Sequence, residues 1–308
     1  MRPPSDTEIA AAGDRIAAYI HRTPVMETRE LVPGRTVALK LENTQVTGSF
    51  KARGAFNTLL SADVPAAGVV AASGGNHGAA VAHAARKLGH RATIFVPEMA
   101  GPSKIALIRA TGADLRVVPG EYANAAAEAQ AFEAETGAMQ VHPYDAPATL
   151  AGQGTLLREW EAQGLAADTV VIAVGGGGLI GGSLAWLDGR RKVVAVEPER
   201  APSLHAALKA GAPVDVEVGG IAANALGARR IGELCFGLAQ RHHVASLLVT
   251  DAAIAEAQAR LWQVCRQWVE PAGATALAAL MSGVYQPEED EAVAILVCGA
   301  NPAPGPFD

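Results

Sequence analysis

Short runs of Val, Ile and Ala recur along this chain, each followed by a polar or glycine-rich turn and then a longer helical pattern. They read VALKLE at 37–42, GVVAAS at 68–73, ATIFVP at 92–97, DLRVVP at 114–119, VVIAVG at 170–175, KVVAVEP at 192–198 and AILVCG at 294–299. Strands alternating with helices make βαβ units. The runs are nearly continuous instead of alternating apolar with polar, as parallel strands are when helices cover both faces of a sheet. The predicted fold is therefore α/β, two-lobed, with mostly parallel, twisted sheets covered by helices on both faces. No internal repeat and no Pro/Ser-rich linker divides the sequence. A second lobe is expected as an insertion: a discontinuous large domain, 1–72 with 149–308, and a small domain, 73–148, that holds the runs at 92–97 and 114–119.

Composition narrows the partners. The formal net charge is -6 and no long Lys/Arg run interrupts that balance, which offers nucleic acid no electrostatic footprint. The N-terminal stretch lacks the apolar core of a signal peptide, and no run reaches the roughly 18 apolar residues of a spanning helix. A cytoplasmic protein is expected. Cys235, Cys265 and Cys298 form no CxxC pair and are too few for a disulfide framework, so the first two read as small buried apolar residues.

In open parallel sheets ligands bind beyond the carboxyl ends of the strands, where glycine-rich turns enter helices. Three turns qualify: SGGNHG at 73–78, GGGGLIGG at 175–182 and CGAN at 298–301. Gly175, Gly176, Gly177 and Gly178 stand where bare amides and a helix dipole can hold a phosphate. They lack the G-x-G-x-x-G order of dinucleotide sites and the GK[ST] of a P-loop. Taken alone, a structural turn, a nucleotide-binding regulator or an NAD-dependent enzyme remains open. Lysine is scarce, with six in the chain, and Lys51 stands apart in TGSFKARGAFN at an apparent helix start. A helix N-terminus disfavours an ammonium and so favours the imine-forming amine, although an ordinary surface lysine would carry the same local signature.

Seven segments in fixed order change the weighing: TGSFKARGA, SGGNHGAA, HPYDAPATLAGQGT, GGGGL, VEPE, EPAGA and CGAN. Together they resemble the fold-type II pyridoxal-phosphate family of threonine and serine dehydratases and serine racemases, over nearly the whole chain. The resemblance implies that Lys51, beside Phe50, binds pyridoxal 5'-phosphate covalently and later removes the substrate α-proton. It implies that Gly175 to Gly178 with the Leu179 amide hold the phosphate, and that Asn76 bonds the phenolic oxygen. Ser73, Gly75, Asn76 and His77 fall in the loop that receives the substrate carboxylate. Cys298 falls where a Ser usually faces the ring nitrogen. A neutral thiol makes a weaker electron sink than an Asp partner, which favours prompt loss of a β-leaving group over transamination. The implied activity is an ammonia-lyase converting L-threonine or L-serine to 2-oxobutanoate or pyruvate, in a homodimer. Alternatives are another β-hydroxy amino acid, such as 3-hydroxyaspartate or a phenylserine, or a racemase on the same scaffold.

Three departures bear on that choice. Similar racemases read SSGNHG and use the second Ser as the opposite-face acid, whereas this chain has Gly74, which cannot transfer a proton. A serine restored at 74 is expected to raise racemisation. Some relatives bind a divalent cation through EPExGxD. The matching positions here are Glu197, Ala201 and Ser203, and losing the last carboxylate predicts weak or absent cation binding. Tyr144 stands where racemases have an Asn.

Overall fold

The computed structural model describes residues 1–98, 100 and 102–301, the side chains of 102–104 excepted. Its strands are β1 (Val25–Val32), β2 (Arg35–Leu41), β3 (Val69–Ala72), β4 (Ala92–Pro97), β5 (Asp114–Val118), β6 (Met139–Gln140), β7 (Thr169–Ala173), β8 (Lys192–Pro198), β9 (Ala245–Val249) and β10 (Val293–Val297). They form a six-stranded sheet, β1-β2-β10-β7-β8-β9, and a four-stranded one, β5-β4-β3-β6. The β1–β2 hairpin is antiparallel, and every other strand pairing is parallel.

β3 shows why its run has no polar alternation. Val69 and Ala71 pack with Ala79 and Ala82 of helix Asn76–Leu88, whereas Val70 and Ala72 pack with Ala125 and Ala129 of helix Tyr122–Thr136. Successive side chains point to opposite faces of a strand, and here both faces are covered. β7 and β10, in the interior of the larger sheet, are buried at every position. The edge strands β5 and β9 are largely half-buried or exposed.

The strand just before the expected boundary at residue 73 pairs within the smaller sheet. β3 pairs with β4 and β6 from Val69 onward, through Val69↔Ala92 and Val69↔Met139, so 69–72 belongs to the smaller sheet. A wholly apolar strand reads the same in either sheet, and nothing in its pattern assigns it. Of the expected large domain, 302–308 lies outside the described residues.

The helix that begins at Lys51, Lys51–Leu60, is held by charge and by close backbone contact. Arg53 donates to Glu42 at 2.7 Å and to Glu159 at 3.0 Å, while Lys40 reaches Glu159 and Gln163, each at 2.6 Å. Lys40, Glu42 and Arg53 are all but sealed from solvent. The two cations and two carboxylates balance, and breaking such a buried pair typically costs about 3–5 kcal/mol. The helix crosses Pro147–Ala162, where a Cβ added to Gly152 would come within 2.6 Å of Gly54 Cα. Helix Gly178–Leu187 crosses the same helix two residues on, where a Cβ at Gly182 would come within 2.6 Å of Gly154 N. At both crossings main chain lies directly on main chain.

Candidate active site

The chain enters the Lys51 helix from Thr47 and Gly48, both in the left-handed region. Ser49 then bridges to Gly299, and Phe50 N donates to Cys298 O at 3.3 Å. This pairing sets the end of β10 beside the lysine. Lys51 Nζ donates to Pro143 O at 2.8 Å and stands 5.3 Å from the Phe50 ring centre. Burial brings the amine down to about 8, against the opposing influence of Cys298 and Glu270. A far larger fraction is then unprotonated at neutral pH than for a solvated lysine.

β7 runs into Gly175, Gly176 and Gly177, and the helix starting at Gly178 leaves its first amides without intrahelical partners. Gly177 has φ 94°, a conformation that disfavours any side chain. A Cβ on Gly176 would overlap the Tyr144 ring. Across from this turn, Cys298 Sγ donates to Ala272 O at 3.3 Å, and burial pushes its thiol far above the usual range, so it stays neutral. Phe50, Lys51, Asn76, Gly175, Gly176, Gly177, Gly178, Leu179 and Cys298 line one cavity with about 460 Å³ of empty space, together with Ala225, Leu226, Glu270 and Ala272. A larger groove, with about 1530 Å³ of empty space, lies at the amino ends of β4 and β5 among Arg86, Arg91, Arg109 and Arg116, and holds none of the residues above.

Residues 16–299 match the family described as pyridoxal-phosphate dependent enzyme. The chain belongs to that family. It is 36% identical over 306 residues to a phenylserine dehydratase of Ralstonia pickettii, covering 97% of this chain and 93% of that one. Among solved structures, a threonine deaminase from T.th. superposes with a TM-score of 0.89 at 37% identity, covering 97% of this chain and 98% of that one. Maize serine racemase superposes with a TM-score of 0.91 at 32% identity, covering 97% and 94%.

The cavity fits the family's cofactor. A primary amine of lowered proton affinity, a bare-backbone cradle that side chains would fill and a buried neutral thiol line it together. Lys51 and the Gly175–Leu179 turn would hold the group, with Asn76 and Cys298 against its ring.

Ser73, Gly75 and His77 do not line this cavity. Ser73 Oγ accepts from Gly75 N at 3.2 Å, within its own turn. His77 donates from Nε2 to Val141 O at 2.8 Å, and burial with the nearby Lys51 charge brings its ring down to about 3. A neutral ring committed to a carbonyl ties helix Asn76–Leu88 to the segment after β6; it brings no charge to a carboxylate. Gly74 departs from expectation in a different way. A Cβ there would overlap Ala100 Cβ and come within 3.0 Å of Val96 Cγ1, neither of which lines the cavity.

Glu197 also has structural work. Its two oxygens accept from Leu204 N at 2.7 Å and His205 N at 2.8 Å, at the start of helix Ser203–Ala210. Burial pushes the carboxyl up to about 7 while these donors pull it down. Ser203 Oγ lies 3.3 Å from Glu197 and donates to Gly175 O at 2.8 Å, so the hydroxyl clasps the phosphate turn. Ala201 is fully buried, with its amide bonded to Pro198 O at 3.0 Å. Among the described residues no cluster of three or more His, Cys, Asp or Glu side chains could hold a metal ion.

Sequence reading gave no role to Glu270, Ala225 or Leu226. The first had a signal, an acidic residue directly before a helix-starting Pro in EPAGA; the other two sit in an apolar stretch with none.

Proposed function

We propose that this protein is an ammonia-lyase for small β-hydroxy amino acids, foremost L-threonine and L-serine. The observation that carries the reading is the pairing of one amine, Lys51, with a neutral thiol, Cys298, across a single cavity. Pyridoxal phosphate, when bound, supplies the electron sink that makes a substrate α-proton acidic. Lys51 is the group placed to take that proton. The β-hydroxyl then leaves as water, and the released enamine takes water back to give 2-oxo acid and ammonia. The cradle's amides would hold the phosphate end, and Phe50, Ala225 and Leu226 supply apolar lining.

Phenylserine is a second reading, favoured by the 36% identity to the Ralstonia enzyme over almost its full length. A panel of L-threonine, L-serine, 3-hydroxyaspartate and phenylserine, read by 2-oxo acid release, separates them. We expect kcat/KM to be highest for threonine or serine. Highest activity on phenylserine transfers the assignment, and no release from any of the four overturns it.

The reading includes metal independence, supported by the engagement of both Glu197 oxygens with backbone amides and by Ser203 in place of a carboxylate. EDTA is expected to change activity by less than about twofold, since one hard anionic ligand is missing. A several-fold loss restored by Mg²⁺ would refute this. No helix among the described residues is long and apolar enough to cross a membrane; a cytoplasmic homodimer completes the proposal.

A further inference from the structure

Glu270 lies at the start of helix Pro271–Met281, 2% exposed, and is the one acidic residue among those lining the cavity. Its carboxylate accepts from Asn76 Nδ2. On the other side of that amide, Asn301 Nδ2 donates to Asn76 Oδ1 at 2.8 Å and to Thr47 O at 2.8 Å. These contacts decide which way the Asn76 amide faces. A carboxylate only accepts and an amide nitrogen only donates, so Nδ2 must face Glu270 and Oδ1 must face Asn301. One N–H of Asn76 remains, and Asn76 itself lines the cavity.

We propose that Glu270 is the anionic positioning residue of this cavity: it locks Asn76 with an N–H toward the cofactor ring and supplies the negative charge that balances the lysine nitrogen. The clasp leaves little freedom, because a Cβ on Gly299 would overlap Glu270 Oε1 and lie 3.4 Å from Asn76 Nδ2. The helix N-terminus favours an ionised carboxylate at this position. Lys51 lines the same cavity, and Glu270 raises its proton affinity; the thiol of Cys298 is pushed up by the same carboxylate. The Lys51 charge in turn lowers His77 and His142, neither of which supplies a negative charge, and Glu42, which acts on Cys298, is bound to Arg53.

This inference rests on the cofactor assignment, and the test keeps the two apart. Wild-type holoenzyme, Glu270→Gln and Glu270→Ala are compared by near-violet absorbance across pH and by the affinity of each apoprotein for pyridoxal phosphate. Glutamine keeps an acceptor for Asn76 and loses the charge. We expect its cofactor affinity to stay within about threefold of wild type while the midpoint of the absorbance change moves down by about one pH unit, because removing an anion weakens proton binding at a neighbouring cation. Alanine loses the lock as well, and its cofactor affinity should fall by about tenfold. An unmoved midpoint in Glu270→Gln overturns the charge role, and unchanged affinity in Glu270→Ala overturns the lock. If Glu270→Ala does not fold, Asn301→Ala replaces it, since it frees the same amide from the other side. A wild-type protein with no near-violet band would fail the cofactor assignment itself.

Discussion

Replacing Lys51 by alanine is expected to lower turnover with any substrate by at least about 10³-fold, within the range that a positioned acid–base group alone contributes, and to erase the near-violet absorbance of the holoenzyme. In the proposed function one side chain supplies both the covalent link to the cofactor and the base. The fold should survive. Alanine is a strong helix former, and the charges that anchor this helix belong to Arg53, Glu42, Glu159 and Lys40, which the substitution leaves in place. Circular dichroism should match wild type, and residual activity within tenfold of wild type would sink the assignment of Lys51. The wild-type apoprotein offers a companion measurement. Its amine is brought down to about 8 by burial, and only the unprotonated amine attacks an aldehyde. Cofactor uptake should therefore speed up as pH rises toward 8 and level off above it.

With L-serine, D-serine is expected to form at least about 10²-fold more slowly than pyruvate, the lower end of what a general acid contributes. In the proposed function Lys51 serves one face of the α-carbon. Gly74 has no side chain to serve the other, and the direction a side chain would take at 74 leads to Ala100 and Val96. That geometry alters the expected effect of Gly74→Ser. The added Cβ meets Ala100 before its hydroxyl approaches any reacting atom, so the ratio of racemisation to elimination should move by less than about threefold. Overpacking of this kind typically costs about 1–3 kcal/mol, which a thermal melt of the apoprotein would register. Chiral chromatography of a partly consumed reaction decides the first point. D-serine appearing as fast as pyruvate in wild type would overturn the argument, and a large rise in the variant would show that the 73–75 turn opens toward the substrate.

Much of this arrangement was legible in the sequence. The apolar runs that became β3, β4, β7, β8 and β10 lie in sheet interiors, where burial on both faces forces Val, Ile and Ala at consecutive positions. β1 escaped because an edge hairpin strand exposes one side, and VMETRELV therefore carries charges on a strand. β6 is two residues long and β9 is half-exposed, so neither has a pattern to detect. Lys51, Asn76, the glycine turn and Cys298 line one cavity, and each stands in a legible motif, Lys51 at a helix start and the others just past a strand end. His77 stands apart from them, outside the cavity lining. Its place in the SGGNHG turn pointed to a ligand, but its partner, Val141, is 64 residues away and no local pattern announces it.

The two glycine crossings have a consequence for how the site tolerates change. The reactive amine rides on one helix and the phosphate turn opens another, and the helix between them touches both through bare backbone at Gly152 and Gly154. Side-chain contacts can relax around a substitution by changing rotamer; peptide planes stacked on one another have no such slack. A methyl group at either step would act as a shim, moving an entire helix and altering the span between the nitrogen and the anion cradle. That span must match one rigid molecule. These two steps of Pro147–Ala162 act as a gauge, fixing the separation by the thickness of the polypeptide itself.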